Sequence, residues 1–360
     1  MDFLLTLIIL ILMLGIIVLI HELGHFILAK KNKVYVDEFS IGMGPVIWKH
    51  KPKKSETTYT LRALPIGGFV SMADKETEEL KIKKDRFLQN KSYLRKFSVF
   101  IAGIVFNCIS AIILFFLSGL IYGSPVNDFY IGVVKEGTPA YEAGLVAGDK
   151  IDKINGKTIS NWDDVLLEIS AKELKDNYEF VITKEDGTVK TYNIKPEVTK
   201  NEEGNEVRTF GIGSNTLKKE KGFLPALKYG FTGFIDNSKT ILRIVGSLFT
   251  GEVKVDSLSG PVGIFSIIDQ VKSQGFEMII YLTAYLSINV AIINLIPLPV
   301  FDGGRLLLIT IEKITRKKTN EKIENALNII GFGLMIILMI FVTFNDIIRL
   351  FWWFLWKTNI

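Results

Sequence analysis

The sequence predicts a polytopic α-helical membrane protein with four transmembrane helices, a membrane-associated β-element and an inserted extracytoplasmic β-rich domain. Hydrophobic residues make up 48% of the chain and charged residues 22%, which is too apolar for an ordinary soluble domain and too charged for a chain wholly in lipid. The two classes are segregated, because apolar runs long enough to cross a bilayer alternate with polar stretches. A turn-rich stretch between the second and third runs predicts the inserted domain.

The four apolar runs lie at about 3–29, 97–122, 278–300 and 327–353. The first run has no basic residue before it and no small-residue cleavage site after it, so we expect a retained span and not a removable signal peptide. The expected divisions of the chain are an N-terminal membrane part (1–125), a β-rich domain (126–200), a linker with an amphipathic segment (201–276) and a C-terminal membrane part (277–360).

Basic residues predict the orientation of the spans. The loop at 33–94 carries clusters of Lys and Arg, a further cluster lies at 316–318, and Met1 and Asp2 carry no basic side chain. By the positive-inside rule both basic loops are cytoplasmic, so both termini and the β-rich domain are expected outside the cytoplasm. Beside membrane spans the lipid surface explains these clusters better than nucleic acid does, and we expect no nucleic-acid partner.

The first apolar run contains the motif His21-Glu22-Leu23-Gly24-His25. On a helix His21 and His25 lie one turn apart on one face and can share a zinc ion, while Glu22 can take a proton from water that the metal acidifies. Ionisable groups at membrane depth are costly unless paired or coordinated, which favours a functional site. The alternative is chance, with His21 capping the span and His25 reaching the surface.

Two segments of the 33–94 loop, Val34–Phe39 and Thr57–Leu64, are rich in aromatic and β-branched residues and predict short strands. Turn-prone sequences follow them at 41–45 and 65–69. Glycines such as Gly67 and Gly68, next to Phe69, would let an extended substrate pair with an edge strand. Ordinary hairpin turns explain the same spacing equally well.

The second run carries Gly103 and Asn107 one helical turn apart. The glycine could admit a neighbouring helix and the amide could hydrogen-bond across that interface, so helix packing explains the pair without catalysis. Cys108 is the single cysteine, which excludes an intramolecular disulfide.

The 126–200 region predicts strands at Tyr130–Val134, Tyr178–Lys184 and Lys190–Ile194 with a helix at Trp162–Glu168. The glycine-rich run at 137–156 resembles that of a PDZ domain of the prokaryotic type. The resemblance implies a peptide groove between the helix and the first strand, a case of strand addition. The groove residues would be Tyr130, Ile131, Gly132 and Val133. A domain that merely blocks access to the membrane site is the alternative.

The segment at 222–249 is amphipathic and predicts an interfacial helix. An extra partial span is the alternative, against which its charged residues Asp236, Lys239 and Arg243 argue.

The third apolar run ends in Asn294-Leu295-Ile296-Pro297-Leu298-Pro299, followed by Asp302-Gly303-Gly304. Pro297 and Pro299 interrupt a helix, which membrane depth tolerates only where the freed backbone groups are buried in protein or line a wet cavity. A carboxylate in this setting needs a partner and a two-histidine site needs a third ligand, so Asp302 answers both needs. Taken alone, Asp302 could instead cap a helix.

Together these motifs resemble the site-2 proteases, intramembrane zinc metalloproteases, in their bacterial regulator-of-sigma-E-protease form. The resemblance implies that His21, His25 and Asp302 bind Zn²⁺ and that Glu22 is the general base and acid. It further implies that Asn294 and Pro297 hold substrate and that Gly67-Gly68-Phe69 is a substrate-pairing edge. The loop with Gly42 and Gly44 is similar to the family's membrane re-entrant β-element. Some relatives carry two PDZ domains in tandem, whereas here the space after Lys195 is too short for a second one.

The family resemblance also implies a bacterial cytoplasmic (inner) membrane location and single-pass membrane substrates that another protease has already shortened, such as anti-sigma factors or remnant signal peptides. At about 1.5 Å per residue, His25 lies roughly 7–8 Å from Lys30, so the zinc site is expected close to the cytoplasmic face. The rival functions are a catalytically silent adaptor with a structural metal and an ion transporter, for which the sequence offers neither inverted repeats nor further intramembrane ligands. The sequence does not define the oligomeric state.

Overall fold

The computed structural model describes residues 2–74, 82–125, 130–159, 162–169, 177–200, 206–213, 219–250 and 258–358. The predicted linker after Lys200 lies partly outside these residues, at 201–205, 214–218 and 251–257. The chain forms two compact units: one contains the residues up to Ser118 and from Leu227 onward, and the other contains Gly119–Ala226.

The described helices are α1 (Asp2–Lys31), α2 (Tyr93–Tyr122), α3 (Pro139–Glu142), α4 (Trp162–Ile169), α5 (Phe223–Thr250), α6 (Pro261–Val271), α7 (Phe276–Leu295), α8 (Asp302–Thr315) and α9 (Glu321–Thr358). Within the described residues, α1, α2, α7 and the part of α9 at Lys322–Arg349 are long and apolar enough to cross a membrane. These four helices correspond to the four predicted spans.

The described strands of the larger unit are β1 (Val36–His50) and β2 (Thr58–Met72). Those of the smaller unit are β3 (Ser124–Pro125), β4 (Val133–Val134), β5 (Lys150–Ile154), β6 (Lys157–Thr158), β7 (Tyr178–Thr183), β8 (Val189–Ile194), β9 (Glu197–Lys200), β10 (Glu206–Thr209), β11 (Ile212–Gly213) and β12 (Lys219–Glu220).

The buried side of α1 carries the predicted metal ligands. Its buried residues are Thr6, Met13, Ile17, His21, Gly24, His25 and Ala29. Their spacing of three, four and seven residues defines one helical stripe. Both histidines therefore face the interior because they continue the stripe by which α1 packs.

β1 and β2 form a long hairpin that folds back on itself into four paired stretches. Ser40 pairs with Phe69 on one side and with Thr60 on the other, and Thr60 pairs in turn with Lys49. Across the sheet the order is therefore the end of β1, the start of β2, the start of β1 and the end of β2. The end of β2, at 68–72, forms one edge of this sheet.

The extent of these strands corrects the prediction of short strands at Val34–Phe39 and Thr57–Leu64. Each strand has 15 residues, and the predicted turns lie inside the ladder. Gly42, Gly44 and Gly67 adopt φ angles of 84°, 85° and 80°, which glycine reaches without steric cost. They bend the strands as bulges do and leave the pairing to continue beyond each bend.

The third apolar run is also shorter as a helix than its sequence predicts. α7 ends at Leu295 and not near residue 300, because Pro297 and Pro299 cannot continue the backbone ladder. The chain turns at 296–301 and begins α8 at Asp302. Because of this interruption, the first turn of α8 lies next to the end of α7.

The smaller unit contains a four-stranded sheet of order β6-β5-β7-β8. Its core includes the fully buried Tyr178, Phe180 and Ile182 of β7. The helix predicted at Trp162–Glu168 corresponds to α4. The predicted first strand is shorter than expected: only Val133–Val134 pairs as β4, with β11, and Tyr130 forms an isolated bridge to Lys150.

This arrangement argues against an open groove at Ile131 and Gly132. The Ile131 N–H donates to the Asp149 carbonyl at 2.7 Å, and the Gly132 N–H donates to the Gly213 carbonyl at 2.8 Å. Because the two bonds lie on opposite sides of an extended chain, added strands find both edges occupied here. The Ile131 side chain lies in the core, so these two residues offer no free backbone edge, and the peptide groove stays a prediction.

The amphipathic helix α5 packs along two of the span helices. Its Ile241 shares a buried cluster with Phe115 of α2 and Ile288 of α7. A Cβ atom at Gly230 would lie 3.0 Å from the Ile112 carbonyl oxygen, so this glycine permits close approach to α2. The helix is therefore packed against α2 and α7, and its interfacial position stays a prediction.

Candidate metal centre

Two helices bring three potential metal ligands together. The Nε2 atoms of His21 and His25 lie 3.1 Å apart. Asp302, in the first turn of α8, places Oδ2 at 3.0 Å from His21 Nε2 and 3.1 Å from His25 Nε2. Both imidazoles are buried, with 7% and 6% of the residue exposed. The predicted ligands thus form a nearly equilateral triangle of donor atoms.

The fold of the chain around Asp302 depends on two glycines. A Cβ atom at Gly303 would overlap the Leu295 carbonyl oxygen, and one at Gly304 would overlap the Leu298 carbonyl oxygen. Glycine lets the start of α8 lie directly on the turn that leaves α7. This close contact fixes the backbone that carries Asp302.

The triangle fits a zinc ion. Zinc binds nitrogen and oxygen at about 2.0–2.2 Å in a tetrahedron, which separates neighbouring ligand atoms by about 3.3–3.6 Å. The observed separations of 3.0 to 3.1 Å lie a few tenths of an ångström below this range. Two imidazole lone pairs and a carboxylate would repel one another at this distance without a cation or shared protons. Three protein ligands also leave a fourth position for water or substrate, as in catalytic zinc sites.

One face of α2 supports both histidines. Val99, Gly103 and Asn107 are spaced by four residues, so they share that face over two turns. The Val99 carbonyl lies 2.8 Å from His25 Nδ1, and the Asn107 amide nitrogen lies 3.5 Å from His21 Nδ1. The two imidazoles are therefore approached from opposite ends of the same helical face.

Gly103 provides the space in which the imidazoles meet. A Cβ atom at this position would lie 2.5 Å from His25 Nε2 and 2.6 Å from His21 Nε2. At the same contact between α1 and α2, a Cβ atom at Gly24 would lie 2.6 Å from the Ala102 carbonyl oxygen. From the sequence alone, Gly103 and Asn107 are explained by helix packing, and Val99 and Gly24 are not recognised as supports of the site. The four-residue spacing was the available signal, and ordinary packing produces it too.

Glu22 lies between this centre and the edge of the β-sheet. The Val70 backbone hydrogen-bonds to its carboxylate, and a Cβ atom at Gly68 would lie 3.9 Å from Glu22 Cγ. Gly67 and Gly68 are buried and Phe69 is half-buried. The predicted substrate-pairing segment is thus the stretch of β2 that adjoins Glu22.

The other two predicted substrate-binding residues lie around the end of α7. Asn294 donates its side-chain N–H to the Val290 carbonyl at 3.0 Å, one turn earlier in its own helix. Pro297 lies exposed in the turn that follows. The structure therefore gives Asn294 a local bond, and its role toward substrate stays a prediction, as does that of Pro297.

Comparisons with known proteins agree with this chemistry. The model of Peptidase family M50 matches residues 9–338. The Regulator of sigma-W protease RasP of Bacillus subtilis is 33% identical over 424 residues, covering 96% of this chain and 99% of the relative. The Zinc metalloprotease RasP of Bacillus licheniformis is 33% identical over 428 residues with the same coverage.

A structural comparison matched part of the chain to the PDZ domain of an SdrC-like protein from Listeria innocua. The match has 24% identity and a TM-score of 0.21, and covers 26% of this chain and 99% of that domain.

Proposed function

The chain belongs to Peptidase family M50 and is a zinc metalloprotease, and from that premise we propose that it cleaves single-pass membrane proteins inside the membrane. The substrates would be anti-sigma factors or remnant signal peptides that another protease has already shortened. The name of the Bacillus subtilis relative, which refers to regulation of sigma-W, supports the first class. The observation that carries the proposal is the meeting of His21, His25 and Asp302 beside Glu22.

The residues of this centre suit peptide hydrolysis. His21, His25 and Asp302 would hold the zinc. When bound, the metal supplies Lewis acidity toward a carbonyl oxygen and lowers the pKa of water. Glu22 accepts a proton from the attacking water and then donates it to the departing amine nitrogen. Its half-buried position next to the ligands and against Val70 holds the carboxylate where that proton must be moved.

The edge of the β-sheet suits an unwound substrate. A transmembrane helix hides its peptide bonds in its own hydrogen bonds, so it must unwind before hydrolysis. The backbone it exposes can add as a strand to the edge at 68–72, which offsets the lost helical bonds. This edge adjoins Glu22, so a peptide paired there passes the proposed proton-transfer residue.

We assign the orientation from the distribution of basic residues. The termini and the β-rich unit lie outside the cytoplasm, and the zinc centre lies close to the cytoplasmic face. The β-rich unit would act as a PDZ domain that screens substrates, by capturing them or by excluding bulky ones. The paired backbone at Ile131 and Gly132 favours exclusion, because an added strand finds no open edge there.

The test uses purified full-length protein, a fluorescent single-pass substrate in detergent, and the variant Glu22→Gln. We expect zinc content to stay at the wild-type level while cleavage falls by several orders of magnitude, because the ligands remain and proton transfer is lost. Glu142→Gln, which alters an exposed carboxylate of the β-rich unit, is the matched control and should cleave normally. Undiminished cleavage by Glu22→Gln would support the adaptor with a structural metal.

A further inference from the structure

Among the described residues around the proposed zinc ligands, Asn107 has a hydrogen-bonding arrangement that does not match metal binding. Its side chain is fully buried, and its Oδ1 atom has no hydrogen-bond partner in the described part of the chain. Its Nδ2 atom faces His21 Nδ1 at 3.5 Å. Leaving a buried acceptor without a donor is unfavourable, so its presence beside a histidine calls for a physical reason.

Metal binding fixes the protonation of His21. The Nε2 atom of His21 belongs to the ligand triangle, so a bound zinc would take the Nε2 lone pair and Nδ1 would carry the hydrogen. The Nδ1–H group and the Asn107 amide group would then be two donors facing each other. Amide oxygen and nitrogen have nearly the same shape, so the orientation of the amide is set by hydrogen bonding.

We propose that the Asn107 amide is turned so that Oδ1 accepts the Nδ1–H of His21, which makes Asn107 the positioning residue for this zinc ligand. The inference rests on the proposed zinc site. Either orientation leaves one end of the amide without a partner among the described residues, but only this one gives His21 an acceptor. Asn107 then does for His21 what the Val99 carbonyl, at 2.8 Å from Nδ1, does for His25.

Buried hydroxyl groups fix the backbone of Asn107. Its carbonyl oxygen accepts hydrogen bonds from Ser110 Oγ at 2.9 Å and from Ser287 Oγ at 3.1 Å. The two hydroxyl oxygens lie 2.8 Å from each other. Since Ser287 belongs to α7, this network joins the His21 support on α2 to the helix that leads to Asp302. A rigid outer support of this kind holds ligand side chains in a metal-binding geometry.

The two histidines differ in a way that allows a test. His25 is held by a backbone carbonyl, which no substitution removes, whereas His21 is held by a side chain. Asn107→Leu preserves size and removes the acceptor. Asn107→Asp preserves size and an acceptor oxygen, giving the carboxylate–histidine–zinc arrangement common in metal sites. Asn289→Leu is the matched control, because Asn289 bonds only locally to the Tyr285 carbonyl of its own helix in the described contacts.

The experiment measures zinc affinity by competition with a chromophoric chelator, and the visible spectrum of the Co²⁺-substituted protein. We expect Asn107→Leu to bind zinc about 10- to 100-fold more weakly, the usual effect of losing such a support, and to change the Co²⁺ spectrum. Asn107→Asp should restore both properties, and Asn289→Leu should leave both unchanged.

The outcomes separate this inference from the proposed function. Wild-type affinity and spectrum in Asn107→Leu would overturn the inference, and so would equal losses in Asn107→Leu and Asn107→Asp. If Asn107→Leu does not fold, Asn107→Ser, whose hydroxyl is too short to reach Nδ1, replaces it with the same expected loss. If the wild-type protein itself binds no zinc, the proposed function fails as well.

Discussion

A Cβ atom at Gly103 would lie 2.5 Å from His25 Nε2, inside the space that the proposed metal ligands His21 and His25 occupy. Gly103→Ala therefore has to push the imidazoles apart or separate α2 from α1. We expect this variant to lose most of its bound zinc and its protease activity while retaining its helices. Zinc content by atomic absorption and helix content by circular dichroism measure the two effects.

Gly333→Ala is the control for this variant. Gly333 lies in α9, where an added Cβ atom meets nothing within 4 Å, so alanine should keep full zinc content and stabilise the helix slightly. Stoichiometric zinc in Gly103→Ala would contradict the close packing that defines the centre.

Arg62 is expected to position the proposed substrate-pairing edge. Its guanidinium donates to Glu38 at 2.7 Å, to Ser40 Oγ at 3.0 Å and to the Gly44 carbonyl at 2.8 Å, and lies 5.1 Å from the centre of the Phe69 ring. Arg62→Lys keeps the charge but loses the planar set of guanidinium donors. We expect it to raise KM about tenfold, the equivalent of one charge-assisted hydrogen bond.

Zinc content and kcat of Arg62→Lys should stay near the wild-type values, because Arg62 contacts none of the ligands in the described structure. Arg95→Lys, which changes a residue outside the sheet, provides the matched comparison. A fall in kcat without a change in KM would place Arg62 outside substrate binding.

The sequence predicts His21, His25 and Asp302 as ligands of the proposed zinc site because helical spacing and the cost of a lone intramembrane carboxylate are both local properties. His21 and His25 share a face by periodicity alone, and Asp302 needed a partner. The structure then shows that Gly303 and Gly304 make the necessary close contact with the end of α7. The sequence shows that Gly303 and Gly304 have no side chain, but it does not show that they contact the backbone at the end of α7.

The sheet could not be predicted in the same way. A glycine with positive φ ends a strand in one context and bends it in another, and the difference depends on distant pairing partners. Gly42 and Gly67 bend strands that continue, so the two predicted short strands are instead two long strands that fold into four paired stretches. Likewise, Gly103 and Asn107 have a spacing typical of helix packing, and only the position of α1 shows that histidines fill the space.

Glu56 should make stability depend on pH at the C-terminal end of α1. Arg86 donates to its two carboxylate oxygens at 2.6 and 2.7 Å, and Lys30 donates at 2.9 Å. The Arg86 hydrogen bonds are the main reason that the Glu56 pKa falls from 4.5 to about 2. A carboxyl group with a lowered pKa stabilises the folded state above its unfolded pKa, and this contribution disappears as the pH falls through the folded pKa.

For Glu56→Gln we therefore expect a lower free energy of unfolding than for the wild type above about pH 4.5, with the difference shrinking between pH 4.5 and about 2. Chemical denaturation in detergent across this range measures it. Glu142→Gln, at an exposed site, should show no comparable pH-dependent difference. A difference for Glu56→Gln that stays constant down to pH 2 would contradict the ion-pair network.

Asp346 of α9 is expected to make a large contribution to stability, because its carboxylate hydrogen-bonds to the start of α6. It is 2% exposed, and its Oδ2 accepts the N–H groups of Gly260 at 2.9 Å and Gly263 at 2.8 Å. Its Oδ1 pairs with Arg349 at 2.9 Å. The carboxylate thus satisfies the exposed N–H groups at the start of α6 and complements the positive end of that helix.

We expect Asp346→Ala to lower the free energy of unfolding by about 3 kcal/mol. The substitution leaves the N–H groups at the start of α6 without an acceptor and removes the buried partner of the Arg349 ion pair. Asp346→Asn keeps an acceptor oxygen but loses the charge, so its loss should be smaller. Asp236→Ala is the control, because Asp236 is exposed on α5 and lies 3.9 Å from Lys239, a surface pair of little energy. Equal stability of Asp346→Ala and Asp236→Ala would mean that α6 is held by its apolar contacts alone, with Phe265 against Phe3 of α1 as the leading candidate.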